Sequence, residues 1–184
     1  MQDRGAAYRE AGVNLEAANT LVTRIKSLAS KTHTKGVVSD IGMFGGMFKL
    51  DLSDTRRPVL VSSTDGVGTK LKLAFAMNIH DSIGIDLVGM NVNDIVVHGA
   101  RPLFFLDYFA ADHLDVDQAE QVIAGIAQGC HLAGCALLGG ETAELPGFYH
   151  PGEYDLSGFC VGMVDDDKIV DGSSVGVGHT IIGL

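Results

Sequence analysis

The sequence predicts an α/β domain. Segments of helical length and period alternate with short apolar runs rich in β-branched and aromatic residues, and glycine or proline punctuates most junctions. With 46% of its 184 residues hydrophobic, the chain is long enough for one core of ordinary domain size. The order helix, strand, helix, strand, helix, strand suggests, taken alone, a parallel sheet that meets its ligand at the strand ends.

The first element is a helix. Leu15, Ala18, Val22, Ile25 and Ala29 recur at helical spacing, Asn14 suits the N-cap and Glu16 the positive first turn, so this face is expected to pack on the sheet. Ile41-Gly42-Met43-Phe44-Gly45-Gly46-Met47-Phe48 follows, too glycine-rich for a stable strand or helix and too apolar for a free linker. It reads either as a loop that packs its Met and Phe side chains on the core or as a flap that closes over a ligand, and the two are compatible. Residues 58–64 read as a buried strand, with Val59, Leu60 and Val61 at its centre and Asp65 just past its end.

Residues 83–97 have helical length. Their apolar positions are interrupted by Asp86, Asn91, Asn93 and Asp94, and the three-residue spacing of Asn91 and Asp94 puts an amide and a carboxylate on one face, with Leu87 a turn earlier. Residues 103–110 form a second strand, and Asp115 with Gln118 opens a helix through Val122, Ile123 and Ile126 toward Gly134. Residues 135–138 are a third strand, cut by Gly139-Gly140. Pro146-Gly147 forces a turn, residues 156–164 supply a fourth strand, and Asp165-Asp166-Asp167 reads as a solvated turn. The apolar run at 180–184 reads as a strand that a truncation interrupts.

Composition excludes several function classes. A net charge of −10 with thirteen scattered Lys and Arg leaves no basic stripe for nucleic acid. No run reaches the ~18 apolar residues of a membrane span, and Asp3, Arg4, Arg9 and Glu10 rule out an apolar signal core at the start. Three cysteines, Cys130, Cys135 and Cys160, form an odd set in apolar surroundings, which argues for buried thiols in a reducing, cytoplasmic compartment. The histidines lack zinc spacing.

What remains is a set of carboxylate clusters beside glycine or small polar residues. They are Ser63-Thr64-Asp65-Gly66-Val67-Gly68-Thr69-Lys70, Asn91-Val92-Asn93-Asp94 and Gly139-Gly140-Glu141-Thr142-Ala143-Glu144. Neither a P-loop nor a dinucleotide fingerprint fits the glycine spacing. Each carboxylate alone suits a cap or a turn. Together, Asp65, Asp94 and Glu141 can coordinate Mg²⁺, with Lys70 supplying a positive charge to a phosphate, and a cation is how an acidic protein holds a polyphosphate.

These motifs, with Val59-Leu60-Val61-Ser62 before them, Gly84-Ile85-Asp86-Leu87-Val88, Pro102-Leu103-Phe104-Phe105-Leu106-Asp107-Tyr108, and Pro146-Gly147, closely resemble the phosphoribosylformylglycinamidine cyclo-ligase family, the aminoimidazole ribonucleotide synthetases of purine biosynthesis. The likeness runs from about Tyr8 to the last residue. It implies an ATP-dependent closure of formylglycinamidine ribonucleotide to aminoimidazole ribonucleotide, with phosphorylation of the formyl amide oxygen and its displacement by the amidine nitrogen. By matching position it implies Asp65, Asp94 and Glu141 as Mg²⁺ ligands and Lys70 and Asp94 as catalytic. ATP contacts would come from Asp65, Gly66, Gly68, Thr69, Lys70, Asn91, Asp94, Gly140, Glu141 and Thr142, with Asn91 and Thr142 in support.

The resemblance also replaces the parallel sheet by a mixed, largely antiparallel one covered by helices, a PurM-like N-terminal domain that closes into a barrel across a homodimer. It makes residues 1–184 a single domain, with 1–14 flexible. The family is nearly twice as long, and its C-terminal domain is expected to bring substrate contacts and a catalytic histidine; the 184-residue chain alone is expected to be inactive. Two alternatives stay open: a sister enzyme such as a selenophosphate synthetase, thiamine-phosphate kinase or hydrogenase maturation factor, and a dimerisation or binding module whose carboxylates are structural.

Overall fold

The computed structural model describes residue 8 and residues 10–183. Its elements are α1 (Leu15–Ser30), β1 (Pro58–Gly66), a 3-10 turn (Gly68–Lys70) running into α2 (Leu71–Met77), α3 (Ile83–Val96), β2 (Arg101–Ala111), α4 (Val116–Ala133), β3 (Ala136–Glu144) and β4 (Tyr154–Asp165). The predicted start of α1 is met: Asn14 Oδ1 accepts from the N–H groups of Glu16 and Ala17, and Glu16 occupies the first turn. Its deepest residues are Leu21 and Ala29, whereas Leu15 and Val22 remain exposed, because the helix rests mainly on α4 and only secondarily on β3. At α4 the capping box is half-formed: Asp115 Oδ1 accepts from Asp117 and Gln118, but the Gln118 amide turns toward the Gly152 carbonyl. Gly134 ends that helix in the left-handed conformation, at φ 69°.

The strands form one sheet in the order β1-β4-β2-β3. β4 runs antiparallel to both β1 and β2, while β2 and β3 are parallel across the α4 connection. This corrects the parallel sheet read from element order alone and agrees with the mixed, largely antiparallel sheet that the resemblance implies. Element order could not reveal that β4, last in sequence, inserts between β1 and β2. Buried Phe105, Phe109, Leu137, Leu156 and Cys160 of the sheet pack with Leu87, Val122 and Ile126 of the helices in a common core, while Leu60, Tyr108 and Phe159 at alternating positions stay exposed. Helices therefore cover one face, and the other is partly apolar and open.

Three element boundaries depart from expectation. β1 is a half-buried edge strand with alternating exposure, and it carries Asp65 inside it rather than beyond its end. β3 is not cut at Gly139-Gly140; it continues to Glu144, with a register shift opposite Phe105 and Leu106 that absorbs Leu138. Residues 180–183 are irregular and make no ladder, and Ile181 and Ile182 are exposed. α2 is an element that the sequence reading did not identify. The aspartates at 165–167 are more than a solvated turn: Asp165 accepts from the N–H groups of Arg56 and Arg57 and fixes the start of β1. Of the segment expected to be flexible, residues 1–7 and 9 lie outside the described residues.

Candidate functional site

The β1 edge gathers the first two motifs. At its end Gly66 N–H donates to Asp65 Oδ1 at 2.8 Å, and Gly68 adopts φ +68°, with nothing near the position a Cβ would take, so conformation rather than space asks for glycine there. Thr69 and Lys70 follow, exposed, in the 3-10 turn. α3 is tied beneath this end. Ser63 Oγ donates to the Asn91 carbonyl at 2.6 Å, and Asn91 Nδ2 donates to the Leu87 carbonyl at 3.0 Å and the Asp65 carbonyl at 3.5 Å. Asn91 is fully buried, and its Oδ1 accepts no hydrogen bond. Asp94, one turn on, is exposed. Lys70 reaches α3 as well: its ammonium pairs with Asp86 Oδ2 at 2.5 Å and touches Met90 Sδ at 3.4 Å.

The β3 edge carries the third motif and a cavity of about 520 Å³, within the range of small-molecule sites. Ala18, Leu21, Val22 and Ile25 of α1 and the glycine-rich segment from Asp40 to Gly46 form apolar walls. Asp107, Gly140, Glu141 and Thr142 supply the polar end. The segment 41–48 meets the first of its two expected roles only in part. Phe48 packs on Phe104, with ring centroids 5.4 Å apart, whereas Met43, Phe44 and Met47 are exposed, the first two of them lining the cavity. Gly140 is required by close approach: a Cβ there would stand 2.2 Å from Asp107 Oδ1 and 2.6 Å from the Asp107 carbonyl oxygen. Burial, reinforced by the neighbouring Glu141 charge, pushes the Asp107 carboxyl up to about 7 against a backbone hydrogen bond that opposes the shift.

The two edges are in register. Asp65, Gly158, Asp107 and Gly140 form one row across the four strands, and Gly66, Ser157, Tyr108 and Glu141 form the next. Three strand spacings separate Asp65 from Gly140, roughly 14 Å at ~4.8 Å each. Asp65, Asp94 and Glu141 have the hard oxygen donors that Mg²⁺ takes. A single chain nonetheless does not gather them, and among the described residues no three His, Cys, Asp or Glu side chains are placed to hold a metal. The shared coordination expected from sequence is therefore not formed within one chain, since β4 and β2 lie between the motifs. Glu144, the other carboxylate of its motif, is structural: it accepts from the N–H groups of Asn14 and Leu114, each at 2.8 Å.

Sequence reasoning missed Asp86 and Asp107 as site residues. Asp107 had a signal, a lone carboxylate in the apolar run Phe104-Phe105-Leu106-Asp107-Tyr108-Phe109. Asp86 had none, because an acidic residue in a first helical turn is ordinary.

Residues 50–164 match the family model described as AIR synthase related protein, N-terminal domain. Proteins named phosphoribosylformylglycinamidine cyclo-ligase from Nitratidesulfovibrio vulgaris and Lawsonia intracellularis are 66% and 67% identical, over 100% and 98% of this chain. The chain spans about half the length of these curated relatives, 52% in both cases. Among solved structures, thiamine-monophosphate kinase from Stenotrophomonas maltophilia is similar with a TM-score of 0.61, at 19% identity over 85% of this chain and 44% of its own. Hydrogenase maturation protein HypE in complex with ATP also gives 0.61, at 21% identity over 89% of this chain and 44% of its own. At such identities the likeness is one of fold.

Proposed function

The chain belongs to the AIR synthase related family through its N-terminal domain, and on that premise we propose that it forms, as one domain over residues 1–184, the Mg-ATP half of a cytoplasmic phosphoribosylformylglycinamidine cyclo-ligase. The whole enzyme would convert formylglycinamidine ribonucleotide to aminoimidazole ribonucleotide with ADP and phosphate released. Close relatives carry that name, and a structural neighbour was solved with ATP. Three free, buried cysteines suit a reducing compartment. Among the described residues no helix is long and apolar enough to cross a membrane.

One observation carries the reading: the two acidic motifs end at the same height on opposite edges of the sheet. Two copies packed through their open sheet faces, where Leu60, Phe159 and Tyr108 are exposed, would form the barrel of a homodimer. A two-fold axis parallel to the strands would bring Asp65 and Asp94 of one copy toward Glu141 of the other. Mg²⁺ at such a site would neutralise phosphate charge.

The residues then have distinct tasks. Phosphoryl transfer needs positioning and charge neutralisation more than covalent help. Lys70 would contact the phosphates, the backbone of Gly66, Gly68 and Thr69 would lie alongside them, and Asn91 would hold the Asp65 end of β1 against α3. Gly140 and Thr142 would line the nucleotide near Glu141, under the 41–48 flap. The sister-kinase reading has less support, because its representatives share 19–21% identity with this chain against 66–67% for the cyclo-ligases.

Calorimetry of ATP with and without Mg²⁺ tests the proposal. Metal-dependent binding that Asp94→Ala removes is the expected result. No binding under either condition would favour a plain dimerisation module, and normal turnover by the 184-residue chain would refute the need for a further domain.

A further inference from the structure

We propose that Asp86 is a positioning residue for Lys70, holding its ammonium at the phosphate end of the nucleotide site; this rests on the Mg-ATP reading. Lys70 leaves the 3-10 turn after β1 on a flexible four-carbon stem. Its Nζ lies 2.5 Å from Asp86 Oδ2 and 3.4 Å from Met90 Sδ. Asp86, Met90 and Asp94 stand at i, i+4 and i+8 on α3, so they share one face of that helix. The ammonium is thereby docked on the same helical stripe that carries Asp94.

The stability of the fold does not account for the pair. Both side chains are substantially exposed, 48% and 38%, and exposed ion pairs add little to folding free energy. What the pair does is restrict a mobile cation. An ammonium has three N–H donors; Met90 Sδ engages one, Asp86 Oδ2 holds the ammonium by charge at ion-pair distance without a hydrogen bond, and the remaining donors stay available to an incoming phosphate oxygen. A lysine ordered before ligand arrives loses less side-chain freedom on binding, the usual origin of affinity gained by preorganisation.

The test compares Asp86→Asn, Asp86→Glu, Lys70→Met and the double variant Asp86→Asn/Lys70→Met in the 184-residue chain, by calorimetry of ATP with Mg²⁺, with thermal melts to confirm folding. Asp86→Asn and Lys70→Met are each expected to weaken ATP by about tenfold. The double variant should be no weaker than Lys70→Met alone, because Asp86 acts only through Lys70. Asp86→Glu, which keeps the charge, should stay within about threefold of the parent. In ligand-free protein, ¹⁵N spectra of the lysine ammonium groups should show a slowly exchanging Lys70 signal that Asp86→Asn removes. A purely structural role for Asp86 would shift melting without that non-additivity. Unchanged affinity in Asp86→Asn, or losses that add in the double variant, would overturn the proposal while a parent that binds Mg-ATP upholds the nucleotide reading. A parent that binds no Mg-ATP would remove both.

Discussion

The two edges of the sheet carry the same chemistry in opposite settings. At the β1 edge, Asp65 takes a hydrogen bond from its own loop, Lys70 is paired with Asp86, and Asp94 faces solvent. At the β3 edge, Asp107 and Glu141 line a cavity roofed by a glycine-rich segment, and burial holds one carboxyl at about 7. The first edge is an open set of charges near equilibrium with water. The second is a shaped and partly dry pocket in which charge is costly. A nucleotide needs both settings, a polar end for phosphates and an enclosed apolar space for the rest, and this chain offers them at one height on opposite sides of the same sheet.

The largest effect that would break this comparison is on ligand affinity. Asp94→Ala should weaken Mg-dependent ATP binding by about a hundredfold or more, as loss of a charged ligand does, whereas Glu144→Ala should leave affinity near the parent. Calorimetry reads both. The same Glu144→Ala should cost about 2–3 kcal/mol of stability in a denaturant melt, since two backbone donors lose a charged acceptor. Gly140→Ala should destabilise by about 1–3 kcal/mol by forcing its Cβ into Asp107, seen as a lower Tm and a disturbed β3 edge.

The next effect separates the edges by pH. The folded-state carboxyl of Asp107 is raised, so its contribution is complete below the ordinary carboxylate range and is lost as pH rises through about 7. In metal-free buffer, Asp107→Asn should therefore gain stability relative to the parent between pH 4 and 7, read from paired melts. Buried His80, beside Tyr154, is shifted the other way by burial. It contributes above its ordinary value and loses that contribution as pH falls below about 6.5, so His80→Gln should flatten the acid limb of the parent curve. Smallest of all, Phe44→Ala should change Tm by less than about 0.5 kcal/mol equivalent, because the ring is fully exposed.

Much of this molecule was legible in sequence because it is local. Asn14 and Asp115 announced their helices, Pro146-Gly147 its turn, and β-branched and aromatic runs the strands. The misreadings share a cause: they depended on a neighbour distant in the chain. Gly139-Gly140 resembles a strand terminator until Asp107, on the next strand, occupies the space that a side chain would need. Residues 58–64 looked buried because apolar content does not distinguish an edge strand from a central one. The separation of Asp65 from Glu141 follows from β4 pairing between β1 and β2, a long-range choice with no short motif. The role of Asp86 became visible only when Lys70 was placed beside it, whereas Asp107 stood out as a lone carboxylate in an apolar run and needed Gly140 beside it to show why.

The central claim is that the two edges complete one nucleotide site across two copies of the chain. Mixing separately inactivated Asp65→Ala and Glu141→Ala chains, after dissociation and reassociation, tests it directly by Mg-ATP titration. If the site is shared, each mixed dimer regains one intact site, so about a quarter of all sites should bind again. If each chain holds its own complete site, every copy remains damaged and no binding should return.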